Sequence, residues 1–149
     1  MLRYLIICTT LFVFYGCAVT KSTNEYKIEF KTYYVTHDMK CRVVNGVILG
    51  LDIDFEFSGV VVESNQVKGA LVHLPTSANA KQPYKKIYNI YFLDPTTCKY
   101  SFEGKTDSIG HFSINLRSKV KILAFSKKML SDDTDEYCTC IILTTKSKE

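Results

Sequence analysis

Four cysteines carry the clearest chemical signal in this chain: Cys41, Cys98, Cys138 and Cys140. In an oxidising compartment an even set of this kind points to disulfides, and four cysteines allow three pairings. Cys138 and Cys140 lie two apart, so on a strand both side chains point to one face and can reach different neighbours. A bond between those two is the less comfortable geometry. The expectation is that each pairs with one of Cys41 and Cys98, stabilising the fold by about 2 to 4 kcal/mol per bond. The competing chemistry is a metal site in which His37 and Cys41 would join Cys138 and Cys140 as a tetrahedral soft-ligand set. The spacings C-x-C and H-x3-C are weak signals alone, so no metal and no cofactor is expected.

Hydrolytic chemistry would need a nucleophile, a base and an orienting group brought together. His37 stands in a loop-like segment beside Asp38, His73 lies in a strand pattern, and His111 follows Gly110 at a strand entry. There is no G-x-S-x-G, and each histidine reads as an ordinary hydrogen-bonding residue, so no catalytic residue is expected. Asp132, Asp133, Asp135 and Glu136 offer oxygens to a cation but lack the spaced ligands and central glycine of a calcium loop. They read as a solvated acidic turn. Tyr33-Tyr34 and the stretch from Tyr84 to Tyr91 could offer an aromatic patch to a protein or a glycan, because tyrosine joins apolar area to a hydroxyl. Core packing accounts for most of them.

The elements that would position these side chains are strands. Ten Tyr and nine Phe stand against seven Gly, three Pro and no Trp, a composition suited to pleated surfaces. Tyr26, Ile28, Phe30 and Tyr34 alternate with Lys27, Glu29, Lys31 and Tyr33. Cys41 to Val44 resumes an extended run before a turn at Asn45-Gly46. Val47, Leu49, Leu51, Ile53, Phe55 and Phe57 then follow at period two, opposed by Asp52, Asp54 and Glu56. Further strands are expected over Gly59 to Glu63, Gly69 to Leu74, Lys85 to Leu93 (apolar on both faces, hence central), Cys98 to Phe102, Phe112 to Leu116, Val120 to Phe125 and Tyr137 to Thr144. Pro75 to Pro83 reads as an exposed loop, and Lys127 to Glu136 as a polar connection with room for one helical turn. The spacing predicts an all-β, antiparallel β-sandwich of about seven or eight strands.

With 149 residues, 46% hydrophobic and 23% charged, the chain is long enough for one ordinary core. Its 19 Lys plus Arg are interleaved with 15 Asp plus Glu, giving a net charge of +4 without a basic run. Nucleic-acid binders cluster their cations, so no nucleic-acid partner is expected. Residues 1–18 read as a signal peptide, with Arg3 before an apolar run from Leu5 to Tyr15 that is short for a membrane span. Gly16 and Cys17 resemble the lipobox of bacterial lipoproteins, although Phe14 and Tyr15 stand where that family prefers Leu and a small residue. The resemblance implies lipidation at Cys17, and Ala18 after it resembles signals that route such proteins to the outer membrane, facing the periplasm. Ordinary cleavage after Ala18, giving a secreted or soluble periplasmic protein, is the alternative. Residues 19–25 would then be a tether, residues 26–145 one domain, and residues 146–149 a loose tail.

GVVVESNQVKGALVHL from Gly59 and GKTDSIGHFSINL from Gly104 resemble the carboxypeptidase regulatory-like domain, a transthyretin-like (prealbumin-like) β-sandwich. Gly59, Ala70, Val72, Leu74, Thr106, Asp107, Gly110 and Phe112 take the places of its motifs. The Gly-Tyr customary after the last of these strands is replaced by Ser126-Lys127, and the segment Thr76 to Lys86 is long. The resemblance implies a non-catalytic domain that supports or attaches to something else; together with the signal segment and the lipobox at Cys17, the expectation is an exported, lipid-anchored envelope protein that binds or scaffolds a protein partner. The alternatives are a secreted inhibitor or immunity-type protein, and a metal- or thiol-handling protein built on the Cys and His residues.

Overall fold

The computed structural model of the protein describes residues 26–44, 55–73, 87–117, 121–133 and 135–146. The lipidation candidate Cys17, the Asn45-Gly46 turn, the strand positions before Phe55 and the loop Pro75 to Pro83 lie outside the described residues.

The described residues form nine strands and no helix: β1 Tyr26–Val35, β2 Cys41–Val44, β3 Phe55–Glu63, β4 Gln66–His73, β5 Asn89–Asp94, β6 Lys99–Lys105, β7 His111–Asn115, β8 Ile122–Ser126 and β9 Glu136–Thr145. All pairings are antiparallel, in a six-stranded sheet of order β2-β1-β9-β8-β5-β6 and a three-stranded sheet of order β3-β4-β7. The connection from Lys127 onward is turn and bend, with no helical turn among its described residues.

Alternation along the strands builds two separate cores. Ile90, Phe92, Leu123, Phe125, Ile141 and Leu143 point from the six-stranded sheet toward Phe55, Val67, Leu71 and Phe112 of the smaller sheet. The opposite side chains of the same strands, Tyr91, Leu93, Ala124, Cys138 and Cys140, belong to a second buried cluster with Tyr33, Val35, Cys98 and Leu130. Every residue of β8 is therefore buried, as is all of β5 up to Leu93. Such runs read as unbroken apolar stretches because neither face meets water. Each fully buried Leu or Ile contributes about 1.5 to 3 kcal/mol.

The second core exists because the large sheet curls on itself. Cys41 opens edge strand β2, and Cys98 stands in the turn before the other edge strand, β6. Five inter-strand spacings of about 4.8 Å and about eight residues of stagger at about 3.3 Å, read along the strand registers, would put these corners roughly 35 Å apart in a flat sheet. They are joined by a disulfide, with Cα atoms 5.2 Å apart. Coiling of that degree, with its diagonal stagger, is the geometry by which sheets begin to close into barrels.

Two expectations are corrected here. The cysteines pair as Cys41–Cys98, and Cys138 and Cys140 are free and buried. In the sheet, β1 lies between β2 and β9: Val35 pairs with both Cys41 and Glu136, and Cys138 lies opposite Tyr33. Cys41 is thus two strand spacings, about 10 Å, from the cysteines of β9 within the sheet, beyond the Cα separation a disulfide spans. The second correction concerns β1, which changes its buried face midway. Tyr26 and Ile28 pack toward the smaller sheet, whereas Tyr33 and Val35, on the other face, are buried inside the curl. Period two alone places Tyr33 with the solvent-facing lysines.

Thr106, Asp107, Gly110 and Phe112 form a turn that fastens the two sheets together. Thr106 donates its N–H to the Tyr88 carbonyl at 3.0 Å and accepts the Tyr88 N–H on its hydroxyl at 3.0 Å. Asp107 accepts the N–H groups of Ile109 at 2.9 Å and His111 at 2.8 Å. Burial acts to raise the Asp107 pKa, but these backbone donors outweigh it and carry it below the ordinary carboxylate range. Gly110 brings its carbonyl to the N–H of Leu71 in β4 at 3.0 Å, and Phe112 packs on Phe125 across the layers at 4.8 Å. The motif is architectural.

Candidate functional site

Among the described residues, the three strands of the smaller sheet cover only part of the face of the six-stranded sheet. The smaller sheet reaches the larger one through Phe57, whose ring lies 5.0 Å from Phe30 and 5.1 Å from Phe125, and through Phe55, 4.7 Å from Tyr88. Beyond Phe55, toward the ends of β1 and β8 and the start of β9, the large sheet has a cleft of about 480 Å³. That volume suits a small ligand or an inserted side chain.

The floor comes from register. Thr32, Thr139 and Phe125 form a row across β1, β9 and β8, and Phe55 and Tyr88 close its far side. One lip is the start of β9, with Asp135, Glu136 and Tyr137. The other is the chain leaving β8, with Ser126, Lys127 and Lys128. The lips separate because β8 and β9 stop pairing at Phe125 and Thr139.

Asp135 holds the first lip to the turn after β1. Its carboxylate accepts the His37 N–H at 2.6 Å and the Tyr34 hydroxyl at 2.8 Å, with His37 Nδ1 at 3.2 Å. The His37 backbone donor first, and the Tyr34 hydroxyl next, hold its pKa below the usual carboxylate value. Tyr34 and Tyr137 stack at 4.6 Å, and the Arg42 guanidinium lies over the Tyr34 ring at 5.2 Å. Glu136 behaves differently from its acidic neighbours. Its Oε1 accepts the Ser126 hydroxyl, and Ser126 Oγ in turn accepts the Lys128 N–H at 3.1 Å. Its Oε2 is buried and has no hydrogen-bond partner, the sole such side-chain atom among the described residues.

The sequence reading placed Glu136 in a solvated acidic turn, and the structure corrects this: its carboxyl turns inward while Asp132, Asp133 and Asp135 stay exposed. Thr32, Thr139 and Ser126 were missed altogether. Their only signal is a hydroxyl residue at an inward position of an otherwise apolar strand. His37 and Cys41 do not assemble with Cys138 and Cys140, since Cys41 is bonded to Cys98 and His37 to Asp135. No group of three metal-ligating side chains occurs among the described residues. No described helix is long and apolar enough to cross a membrane.

The two thiols are chemically quiet. Burial first, and then the negative charge of Glu136, push Cys138 up to about 12. Burial pushes Cys140 well above its ordinary value too. The thiolate is the reactive form, so both should resist alkylation at pH 8 in the native protein and react only in denaturant. Peptide mapping after alkylation checks this. Labelling of either residue in the native state, at the rate of an exposed thiol, would revive a thiol-handling role.

Compared with protein-family models, with curated proteins and with solved structures, the chain matches none of them.

Proposed function

We propose that this chain is a non-catalytic, exported binding protein of the bacterial envelope. In this reading it is lipid-anchored through Cys17 on the periplasmic side of the outer membrane, carries a transthyretin-like sandwich, and holds a protein partner in the cleft. The cleft is the observation that carries the reading. Among the described residues, a sheet face fixed by strand register, ring packing and a disulfide is left uncovered where hydroxyls, aromatic rings and charged lips converge. Such an arrangement orients a ligand with little loss of conformational freedom. The Cys41–Cys98 bond supports export, because structural disulfides persist in oxidising compartments. The transthyretin-like assignment rests on the motif around Thr106 and Gly110 and on the packing of two antiparallel sheets.

The test is site-specific photo-crosslinking in cells. A crosslinker at Thr139, in the cleft floor, is expected to give one protein adduct in the envelope fraction, while one at Ser113, on the outer face of β7, gives none. Equal adducts at both positions, or none at Thr139, would count against the reading. The intact mass of the membrane-extracted protein checks the anchor: acyl mass on a chain beginning at Cys17 is expected, and a chain beginning at Val19 would remove it.

A further inference from the structure

Arg42, Tyr34 and Tyr137 make a stack that crosses three strands and stops at the cleft. The register sets Tyr34 of β1 opposite both Arg42 of β2 and Tyr137 of β9, and two residues along from Thr32 and Thr139 the row stands on the cleft side of the sheet. The Arg42 guanidinium lies over the Tyr34 ring at 5.2 Å, and the two rings stack at 4.6 Å with 31° between their planes. That ring spacing is close to the distance between strands, about 4.8 Å, so the ring faces look along the row. One face of Tyr137 meets Tyr34, and the other looks toward β8. Continuing the pairing of Phe125 with Thr139 by two residues would set Lys127 beside Tyr137. The chain has left the sheet there, and Tyr137 and Lys127 line opposite lips of the cleft instead. Among the described residues no ring or guanidinium covers the second face of Tyr137, which is 37% exposed.

We propose that this open rung is the anchor point of the cleft and that it takes one aromatic side chain of the partner protein, stacked on Tyr137 as the fourth member of the row. The proposal rests on the cleft being the partner site. Lys127 and Lys128, both exposed, put positive charge across the slot from Tyr137. A ring between the lips turns its second, electron-rich face to those ammonium groups, whereas a lysine or arginine there meets like charge. Asp135, the one carboxylate of this lip that faces outward beside the row, is already committed: it accepts the His37 N–H and the Tyr34 hydroxyl, with His37 Nδ1 at 3.2 Å. A sugar also stacks on aromatic faces, but its hydroxyl rim needs polar partners, and this carboxylate is occupied. The floor adds the Phe125 ring, with Tyr88 and Phe55 on the far side. Aromatic anchors seated in such pockets carry much of the energy of protein interfaces.

The test titrates the full chain with the methylamides of Nα-acetyl-tyrosine, Nα-acetyl-arginine and Nα-acetyl-leucine, and with methyl glucoside, while tyrosine ring resonances are followed by NMR. Tyrosine amide is expected to move the Tyr137 ring protons upfield, because a stacked ring adds its ring current face-on, and the other three probes to leave them in place. Tyr137→Phe keeps the stacking face and should bind tyrosine amide as the native chain does. Tyr137→Leu should weaken that binding about fivefold, within what one aromatic pair contributes. Because Tyr137→Leu also removes the stack on Tyr34, a second variant leaves the row intact: Lys127→Ala with Lys128→Ala is expected to weaken tyrosine amide and to admit arginine amide, a change of preference that a merely structural role would not produce. An unmoved Tyr137 resonance, which is the result if another part of this chain or a second copy fills the slot, would overturn the proposal. So would equal shifts from leucine amide, a preference of the native chain for arginine amide or the glucoside, or a lysine-free lip that binds as before. If crosslinking at Thr139 captures the same protein from the native chain and from Tyr137→Leu while Tyr137 ignores tyrosine amide, this inference fails and the partner site stands. If Thr139 captures nothing, the partner site itself fails and this inference falls with it.

Discussion

Replacing Cys41 and Cys98 together by alanine is expected to lower the unfolding free energy by about 4 kcal/mol, the largest loss available from a single cross-link in this protein. The bond closes a loop with a sequence separation of 57, and the chain-entropy relation for a loop of that length gives this figure. Urea unfolding with and without reductant, with matched slopes, measures it. The consequence extends beyond stability, because the bond is what holds the two edges of the curled sheet together. Tyr91 and Leu93 of β5 should become more accessible in the variant, readable as faster amide exchange in β5 and β6 than in β1 and β9. A loss below about 1 kcal/mol would show that the curl is held by packing alone, with the bond a passive addition. Uniform acceleration of exchange across all strands would argue against a local opening of the edges.

Gly110→Ala should be nearly as damaging, at about 3 kcal/mol. Gly110 has φ of 90°, a conformation that costs a non-glycine residue about 1 to 3 kcal/mol. A Cβ there would also sit 2.5 Å from the Leu71 carbonyl oxygen. Relief requires moving β7 away from β4, which sacrifices the Gly110 to Leu71 hydrogen bond, worth about 1 kcal/mol. The control is Gly59→Ala: φ is 60° and no atom lies within 4 Å of the added methyl, so strain alone remains, about 1 kcal/mol. Thermal unfolding of the two variants compares them, with a fall of roughly 10 °C expected for the first. Equal shifts would mean that the approach of Gly110 to Leu71 carries no energy.

These two sites differ in how visible they were in the sequence. Gly110 sits in a turn whose chemistry is local: an Asp that accepts nearby N–H groups, a glycine that tolerates positive φ, and alternating apolar residues after it. Local signals of this kind survive in one dimension, as do the alternation of β1 and the two-sided apolar runs of β5 and β8. The disulfide pairing was not legible, because it depends on strand order: β1 inserts between β2 and β9, and no spacing in the chain says so. The buried face of Tyr33 and Val35 was hidden for the same reason, since it is created by the curl of the whole sheet. Of the cleft, the tyrosines were noticed as a class, but the row Thr32, Thr139 and Phe125 joins three strands far apart in sequence. Glu136 was read with its acidic neighbours because composition cannot report which way one carboxyl turns.

The pairing of β1 with β9 settles how the protein would bear a load. Tyr26 lies opposite Thr145, and Val35 opposite Glu136, with ten residue pairs between those limits. The cleft is at the Val35 end, so tension entering at Tyr26 and resisted by an occupant of the cleft would run along the strand axes. In that direction the rungs of the ladder share the force and must rupture together. Tension across the strands would break them one at a time.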